Sequence, residues 1–161
     1  MVLLEGHNIN MKEIEILYKK LLLLETDDFY LIESEFFMFF YNRTDVRKNY
    51  VITAFMTISN WLANSLRSGV WTYYETANPQ ELTDTVEYLK ESGQKEFAQI
   101  FECGIHDYQD ERYVGNFNYP EEWISESGKI DKWISEHESW IEEWERDLLL
   151  ENREFICGLY L

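Results

Sequence analysis

Apolar residues recur along the chain at the spacing of an α-helix rather than that of a β-strand. Between residues 81 and 92, Leu82, Val86 and Leu89 follow one another at intervals of four and three, which places them on one helical face. Sustained alternation of apolar and polar residues is absent, and no Asn-Gly or Asp-Gly pair marks a two-residue hairpin. The pattern predicts an all-α fold, arranged as a single compact domain of several helices.

Prolines and glycines mark the expected beginnings and ends of these helices. Asn78 and Pro79 form an N-cap followed by a proline in the first turn, and Pro120 is followed by two glutamates suited to a first turn. Three glycines are expected to end helices, namely Gly69, Gly93 and Gly128. The longer helices predicted in this way are 11–24 with Asn10 as its N-cap, 46–68, 81–92, 94–108 and 130–151. The short apolar run Phe36–Tyr41 fits a buried strand or a helix, and its acidic and helical surroundings favour the helix.

The segment 133–147 combines three tryptophans with six carboxylates. The tryptophans are Trp133, Trp140 and Trp144, and on a helical wheel the second and third lie within about 20° of the first. The same face is extended by Ile134, Ile141 and Leu148. We expect this face to pack in the core, with a tryptophan-lined ligand pocket as the alternative.

His137 lies within the face and is expected to be a hydrogen-bonded core histidine, while acids, Glu145 among them, line both edges. Leu149 and Leu150 break the pattern, which indicates a bend in the helix or a contact with another chain.

The composition is that of one globular domain. The chain has 161 residues, of which 45% are hydrophobic and 17% aromatic, and it shows no internal repeat or break in composition. We therefore assign residues 1–161 to one domain. The N-terminus lacks the basic and apolar regions of a signal peptide, and the longest uncharged run, 49–66, is too polar for a membrane span. The two cysteines, Cys103 and Cys157, form no Cys-x-x-Cys pair, so a cytoplasmic location is expected.

Negative charge dominates the second half of the chain. The net charge is −17, and residues 75–161 carry −15 of it, with 22 acids against seven bases. Direct binding of nucleic acid or of an anionic membrane is disfavoured, because both require Lys and Arg. A one-sided negative field instead favours association with a basic protein. The alternative is a solubilising surface without a specific partner.

Two acidic helices provide the candidate surface for such a partner. On the helix 81–92 the acids lie opposite the apolar face, at Glu81, Asp84, Glu87 and Glu91. On the helix 130–151 the candidate residues are Glu136, Glu138, Glu142, Glu143 and Asp147. Carboxylates three and four residues apart stand about 5–6 Å apart at Cβ, and DNA presents about one phosphate per 3.4 Å of rise on each strand. Rows of carboxylates at this density can imitate a phosphate backbone.

No catalytic constellation is present in the sequence. It contains no Walker-type loop, no Gly-x-Gly-x-x-Gly, no His-Glu-x-x-His and no Gly-x-Ser-x-Gly. Glu102 and His106 are four residues apart on one predicted helical face. A metal site, and with it a metal-dependent enzyme, would need further ligands such as Asp107, Asp110 and His137. The abundance of acids favours a helix end at which His106 interacts with the helix dipole. We therefore expect no enzyme activity, no cofactor and no bound metal.

One stretch of the chain resembles a known family. It is "SGVWTYYETANPQELTDTVEYLKESGQKEFAQIFECGIHDY", residues 68–108. The positions that carry the resemblance are a glycine before an aromatic run, a glycine at a turn between helices and an alanine in the helix that follows, at Gly69, Tyr73, Tyr74, Gly93 and Ala98. The arrangement is similar to the central segment of the bacterial DNA-mimic-protein-like family, a set of small helical domains. Four positions depart from the usual family pattern, at Arg67, Ser68, Val70 and Thr72. The family name comes from a member that occupies a DNA-binding protein by presenting DNA-like negative charge, and the resemblance implies that function here.

The expected function is that of an acidic helical binding protein, a DNA mimic that masks a basic DNA-binding protein. Its carboxylates would pair with the Lys and Arg residues that otherwise contact phosphates, so that affinity falls as the salt concentration rises. The alternative is an immunity-type antitoxin that neutralises a basic toxin such as a nuclease. The high aromatic content is also compatible with a homodimer.

Overall fold

The structure, a computed structural model, describes residues 2–43, 49–116 and 118–160, with side chains from residue 13 onward. Within these ranges every regular element is helical, with eight α-helices, one short 3-10 helix and no strand. The elements are α1 (Val2–Leu23), the 3-10 helix (Thr26–Asp28), α2 (Tyr30–Tyr41), α3 (Tyr50–Ser68), α4 (Trp71–Thr76), α5 (Pro79–Glu91), α6 (Lys95–Cys103), α7 (Glu121–Glu151) and α8 (Arg153–Gly158). The all-α fold predicted from the sequence is confirmed.

Several helices begin away from the predicted residues. α1 starts at Val2, so Asn10 lies inside the helix, where an asparagine costs roughly 0.7 kcal/mol or less relative to alanine. The prediction that Asn10 caps this helix is therefore wrong. The run Phe36–Tyr41 belongs to α2, as predicted. α3 begins at Tyr50 in the described chain, and residues 46–48 of the predicted helix lie outside the described residues.

Glycines follow the ends of two helices and lie inside a third. Gly69 and Gly93 have φ angles of 97° and 83°, a conformation that often follows a helix C-terminus and that glycine adopts without strain. The prediction that Gly128 ends a helix is wrong, because α7 runs through it. Ile130, two residues further on, is fully buried. Packing of this kind outweighs the roughly 1 kcal/mol by which an interior glycine weakens a helix relative to alanine.

α6 ends earlier than predicted, at Cys103 instead of Tyr108. Gly104 follows the helix as its C-cap residue. A Cβ atom at Gly104 would lie 2.3 Å from the ring of Tyr74, so only glycine fits at this position. Residues 104–116 then form turns rather than helix, and Tyr108 belongs to this turn segment.

The chain folds into two compact units. The first comprises residues 1–55 and 139–161, the second comprises residues 56–138, and helices α3 and α7 contribute residues to both. The assignment of residues 1–161 to one domain stays a prediction. Among the helices of the described chain, none combines the length and the apolar character that a membrane span requires.

In the first unit, aromatic residues from α1, α2 and α3 form the core. Four of these rings are fully buried, those of Tyr18, Phe36, Phe40 and Phe55. Tyr18 meets Phe36 edge to face, with 5.2 Å between ring centroids. The Tyr18 hydroxyl also donates a hydrogen bond to the carbonyl oxygen of Leu149 in α7, at 2.8 Å. Leu149 is itself fully buried, so it contributes to the core of this unit and is not available to another chain.

In the second unit, a chain of hydrogen bonds links three helices through Tyr74. Trp61 of α3 is fully buried, and its Nε1 donates to the Tyr74 hydroxyl at 2.9 Å. That hydroxyl donates in turn to the carbonyl oxygen of Phe101 in α6, at 2.6 Å. α5 and α6 also pack against each other on either side of Gly93. These interactions fix α4 to α3 and α6, and α5 to α6, within the unit.

Candidate functional site

α5 presents a row of carboxylates opposite a buried face. Asn78 caps the helix by accepting a hydrogen bond from the Gln80 backbone N–H at 2.9 Å, and Pro79 occupies the first turn. The inner face consists of Leu82, Thr85, Val86 and Leu89, which are all buried. On the outer face, Glu81, Glu87 and Glu91 are exposed, and Asp84 is half-buried. The four candidates on this helix thus lie on the side away from the core.

In the described chain, the α5 carboxylates have no cations close to them. None of the four lies within 4.0 Å of a Lys, Arg or His nitrogen of the described residues. Lys90 of the same helix pairs instead with Glu102 of α6 at 3.1 Å. Asp84 accepts a hydrogen bond from Gln80 Nε2 at 2.9 Å. At 1.5 Å of rise per residue, successive acids of the row are about 4.5–6 Å apart along the helix axis, of the same order as the phosphate rise in DNA.

The predicted acids of α7 form a less uniform set. Glu136 and Glu138 belong to the second unit, whereas Glu142, Glu143 and Asp147 belong to the first. Glu136 and Glu143 are exposed, and the other three are half-buried. Within the described chain, Glu136 lies 3.8 Å from Lys132 Nζ and Asp147 lies 3.9 Å from Arg146 Nη1. The α5 row is therefore the more exposed and the less neutralised of the two candidate surfaces.

Glu145, expected at the edge of the α7 apolar face, is fully buried. Within the described residues, neither of its carboxyl oxygens has a hydrogen-bond partner of ordinary geometry. Burial raises the pKa of Glu145 well above its usual value, and the charges of Glu33 and Glu142 act in the same direction. A signal for this burial was present in the sequence, because Ile141 and Leu149 lie four residues before and after Glu145 and are both fully buried.

The tryptophans of α7 lie beside the buried face rather than at its centre. Ile134, Ile141 and Leu148 are buried, as predicted. The expectation of a core position is wrong for Trp140, which is 39% exposed. Trp133 is half-buried and stacks on the His137 ring at 4.1 Å between centroids. His137 donates from Nδ1 to the Trp133 carbonyl oxygen at 2.7 Å, so the prediction of a hydrogen-bonded histidine is confirmed, although the residue is only half-buried.

Glu102 and His106 do not converge on a metal site. Glu102 pairs with Lys90, whereas Nε2 of His106 lies 2.5 Å from Oε2 of Glu126 in α7. The imidazole of His106 stacks on Trp123 at 4.5 Å with an angle of 7° between the ring planes. Among the residues that the structure describes, no group of three or more His, Cys, Asp and Glu side chains is arranged to hold a metal ion.

A cavity in the second unit, lined largely by aromatic rings, was not predicted. Its volume is about 400 Å³. Its lining combines α4, the turn segment, Tyr119 before α7 and one side of α7, with Trp71, Tyr108, Tyr119, Trp123, Ile124, Ser127, Gly128 and Asp131. These residues define the aromatic cavity. The lining residues of α7 recur every three or four positions, some together with the residue next to them in sequence. They therefore lie on one face of the helix, and this face supplies most of one wall of the cavity. The sequence signal was the concentration of Tyr and Trp between residues 108 and 123, outside any periodic apolar pattern.

Two carboxylates position the walls of the aromatic cavity. Oδ1 of Asp131 accepts hydrogen bonds from Ser65 Oγ at 2.5 Å and from the Val70 backbone N–H at 2.9 Å, which ties α7 to the start of α4. The Tyr119 hydroxyl donates to Oε1 of Glu75 at 2.8 Å. Burial, followed by this contact with Glu75, raises the pKa of Tyr119 to about 12. The Tyr119 hydroxyl therefore keeps its proton, and can donate to Glu75, well above neutral pH.

Comparison of the chain with protein-family models, with curated proteins and with solved structures found no match. The resemblance of residues 68–108 to the DNA-mimic-protein-like family accordingly stays a prediction.

Proposed function

We propose that this protein is an acidic helical binding protein that uses the α5 row, Glu81, Asp84, Glu87 and Glu91, to engage a basic surface of another protein. The observation that carries the proposal is that three of these carboxylates are exposed and the fourth, Asp84, is half-buried, on a helix whose inner face is buried. No Lys, Arg or His nitrogen of the described chain lies within 4.0 Å of any of them. A solubilising surface needs negative charge but no particular support for it. A binding surface gains affinity from a rigid support, because fewer side chains and backbone angles have to be ordered when the partner binds.

The proposed mechanism is competition for the partner's Lys and Arg residues. A DNA-binding protein holds phosphates with these side chains, and a row of carboxylates at comparable spacing offers them an alternative. The second unit carries 16 acids against six bases, so its field attracts a basic protein before contact. Because the α5 carboxylates are exposed, their attraction is screened by salt and binding weakens as salt rises.

The test is affinity capture from a lysate of the source organism, with a salt gradient for elution and mass spectrometry of the eluted proteins. The test variant is Glu81→Lys, Glu87→Lys and Glu91→Lys combined. The matched control is Glu25→Lys, Asp27→Lys and Glu154→Lys combined, because these acids are also exposed and the change in charge is the same. We expect wild type and control to retain a basic protein at moderate salt, and the α5 variant to lose it.

Four outcomes of this experiment are informative. Retention of the same protein by the α5 variant would contradict the proposal. Loss only in a third variant, with Glu142, Glu143 and Asp147 changed to Lys, would place the surface on α7 and also contradict it. If the basic protein is captured as expected and added duplex DNA displaces it, the partner uses its DNA-binding surface, as a DNA mimic requires. Identification of the partner as a toxin such as a nuclease would assign the protein to the antitoxin class with the same α5 surface.

A further inference from the structure

The aromatic cavity contains two buried hydroxyl groups that have no hydrogen bond of ordinary geometry in the described chain. Tyr108 and Ser127 are 3% and 4% exposed, and neither hydroxyl has a partner of ordinary distance and angle among the described residues. The two hydroxyls contact each other with poorer geometry than an ordinary hydrogen bond, and this contact with Ser127 lowers the pKa of Tyr108, while burial, the larger cause, raises it. Buried hydroxyls are normally paired, so groups of this kind on a cavity wall indicate a place for a ligand that interacts with them.

Gly128 lies at an exposed part of the cavity wall. It lies within α7 and lines the cavity, and a Cβ atom there would meet nothing within 4 Å. The glycine at position 104, by contrast, is required by the Tyr74 ring. No neighbour in the described chain requires glycine at position 128, although glycine weakens a helix interior. The absence of a side chain here leaves the wall of the cavity open.

The lining of the cavity indicates the chemistry of the ligand. Four rings contribute, those of Trp71, Tyr108, Tyr119 and Trp123. Three of their contacts are inclined, with interplanar angles of 54° for Trp71–Tyr119, 73° for Tyr108–Tyr119 and 56° for Tyr108–Trp123. The fourth, Tyr119–Trp123, is closer to parallel at 24°. The four rings together therefore present faces in more than one direction. Aromatic faces carry negative potential and attract a cation, most strongly when the ring is tryptophan.

The charges around the cavity favour the same ligand. Asp131 lines the cavity, and Oδ1 of this residue is held by Ser65 and Val70. Two further carboxylates lie next to the lining residues. Glu75 accepts a hydrogen bond from the Tyr119 hydroxyl, and Glu126 pairs with His106, whose ring stacks on Trp123. With 16 acids against six bases in the second unit, an anionic ligand is disfavoured.

We propose that the aromatic cavity binds an alkylated ammonium group, a quaternary or methylated amine. The faces of Trp71, Tyr119 and Trp123 contact the alkyl groups and the positive charge, and the Asp131 carboxylate adds an attraction at longer range. The hydroxyls of Tyr108 and Ser127 offer oxygen acceptors to an N–H or to polarised C–H groups. A cavity of about 400 Å³ lies in the range of small-molecule sites and accommodates the head group with part of the chain attached to it. This inference does not depend on the proposed function, since it concerns a different surface.

The experiment is a titration of the purified full-length protein, followed by calorimetry and by tryptophan fluorescence. The cationic probes are choline and a short peptide with one trimethyl-lysine. The neutral reference for choline is 3,3-dimethylbutan-1-ol, which has the shape of choline without its charge, and the same peptide with unmodified lysine serves as the unmethylated reference. We expect saturable binding of at least one cationic probe, at least about tenfold tighter than its matched reference. The tighter of the two cationic probes identifies the source of the ammonium group as a small molecule or a methylated protein.

Variants test whether binding takes place in the cavity. Gly128→Met places a side chain at the open wall and should reduce affinity at least about tenfold. Ser135→Met is the control and should bind like wild type, because Ser135 is exposed on the same helix and lies outside the lining of the cavity. Trp123→Leu should lose binding as well, but this ring also packs on its neighbours, so the comparison of Gly128→Met with Ser135→Met decides the result. The proposal is overturned if neither cation saturates the protein up to about 10 mM, if the neutral isostere of choline binds as tightly as choline, or if Gly128→Met binds like wild type.

Discussion

The carboxyl group of Glu145 is enclosed by the protein, although every other acid of α7 is at least partly exposed. Burial is the main cause of its raised pKa, and the charges of Glu33 and Glu142 add to it. The unfolded chain releases this proton at about pH 4.3, whereas the native state keeps it up to the raised folded pKa. Between the two values the native state binds more protons, so the free energy of unfolding falls as pH rises, by at most about 1.4 kcal/mol per pH unit from this residue.

The substitution Glu145→Gln should abolish this dependence, because glutamine has nearly the size of the protonated acid and does not titrate. We expect the variant to match wild type near about pH 4 and to exceed it in free energy of unfolding near about pH 7. Urea unfolding over this pH range measures the difference. Glu143→Gln on the same helix is the control, since Glu143 is exposed, and it should follow wild type throughout. Parallel stability curves for Glu145→Gln and wild type would contradict the assignment.

At the scale of elements, local periodicity was sufficient for α5 and insufficient for α7. α5 has aliphatic residues on one side and acids on the other, so its pattern alone placed Glu81 and Glu87 outside. In α7, tryptophan suits both the centre and the edge of a buried face, and the pattern therefore misplaced Trp140 and Glu145. The aromatic cavity depends on contacts between distant residues, such as the bond from Val70 to Asp131, and no local pattern predicts them.

Two glycines offer a test of how helices α6 and α7 are packed. Gly128→Ala should raise the free energy of unfolding by about 0.5–1 kcal/mol, because alanine favours the helix and its Cβ meets nothing within 4 Å. Gly104→Ala should lower it by about 1–3 kcal/mol, because its Cβ would displace the Tyr74 ring that bonds to Trp61 and Phe101. Thermal or urea unfolding of both variants gives the two signs. Equal effects of the two substitutions would show that the packing around Gly104 differs from that described.

At the scale of the whole molecule, the net charge of −17 has two consequences that salt affects in opposite directions. Like charges repel within the folded chain and lower its stability, so screening should stabilise the fold. The same charges attract a basic partner, so screening should weaken the complex. The sign of the salt effect therefore separates the contribution of charge to folding from its contribution to binding.

We expect the free energy of unfolding to rise between about 0.01 M and about 0.1 M salt, where the Debye length falls from about 30 Å to about 10 Å. Over the same interval the affinity for the captured basic partner should fall. Each of the two triple Lys variants, in α5 and at Glu25, Asp27 and Glu154, changes the net charge from −17 to −11, two units for each of three substitutions. Both should therefore show a smaller rise in stability with salt, whereas only the α5 variant should lose the partner. Partner binding that strengthens with salt would instead indicate an apolar interface, and equal loss of binding in both variants would mean that net charge, rather than the α5 row, attracts the partner.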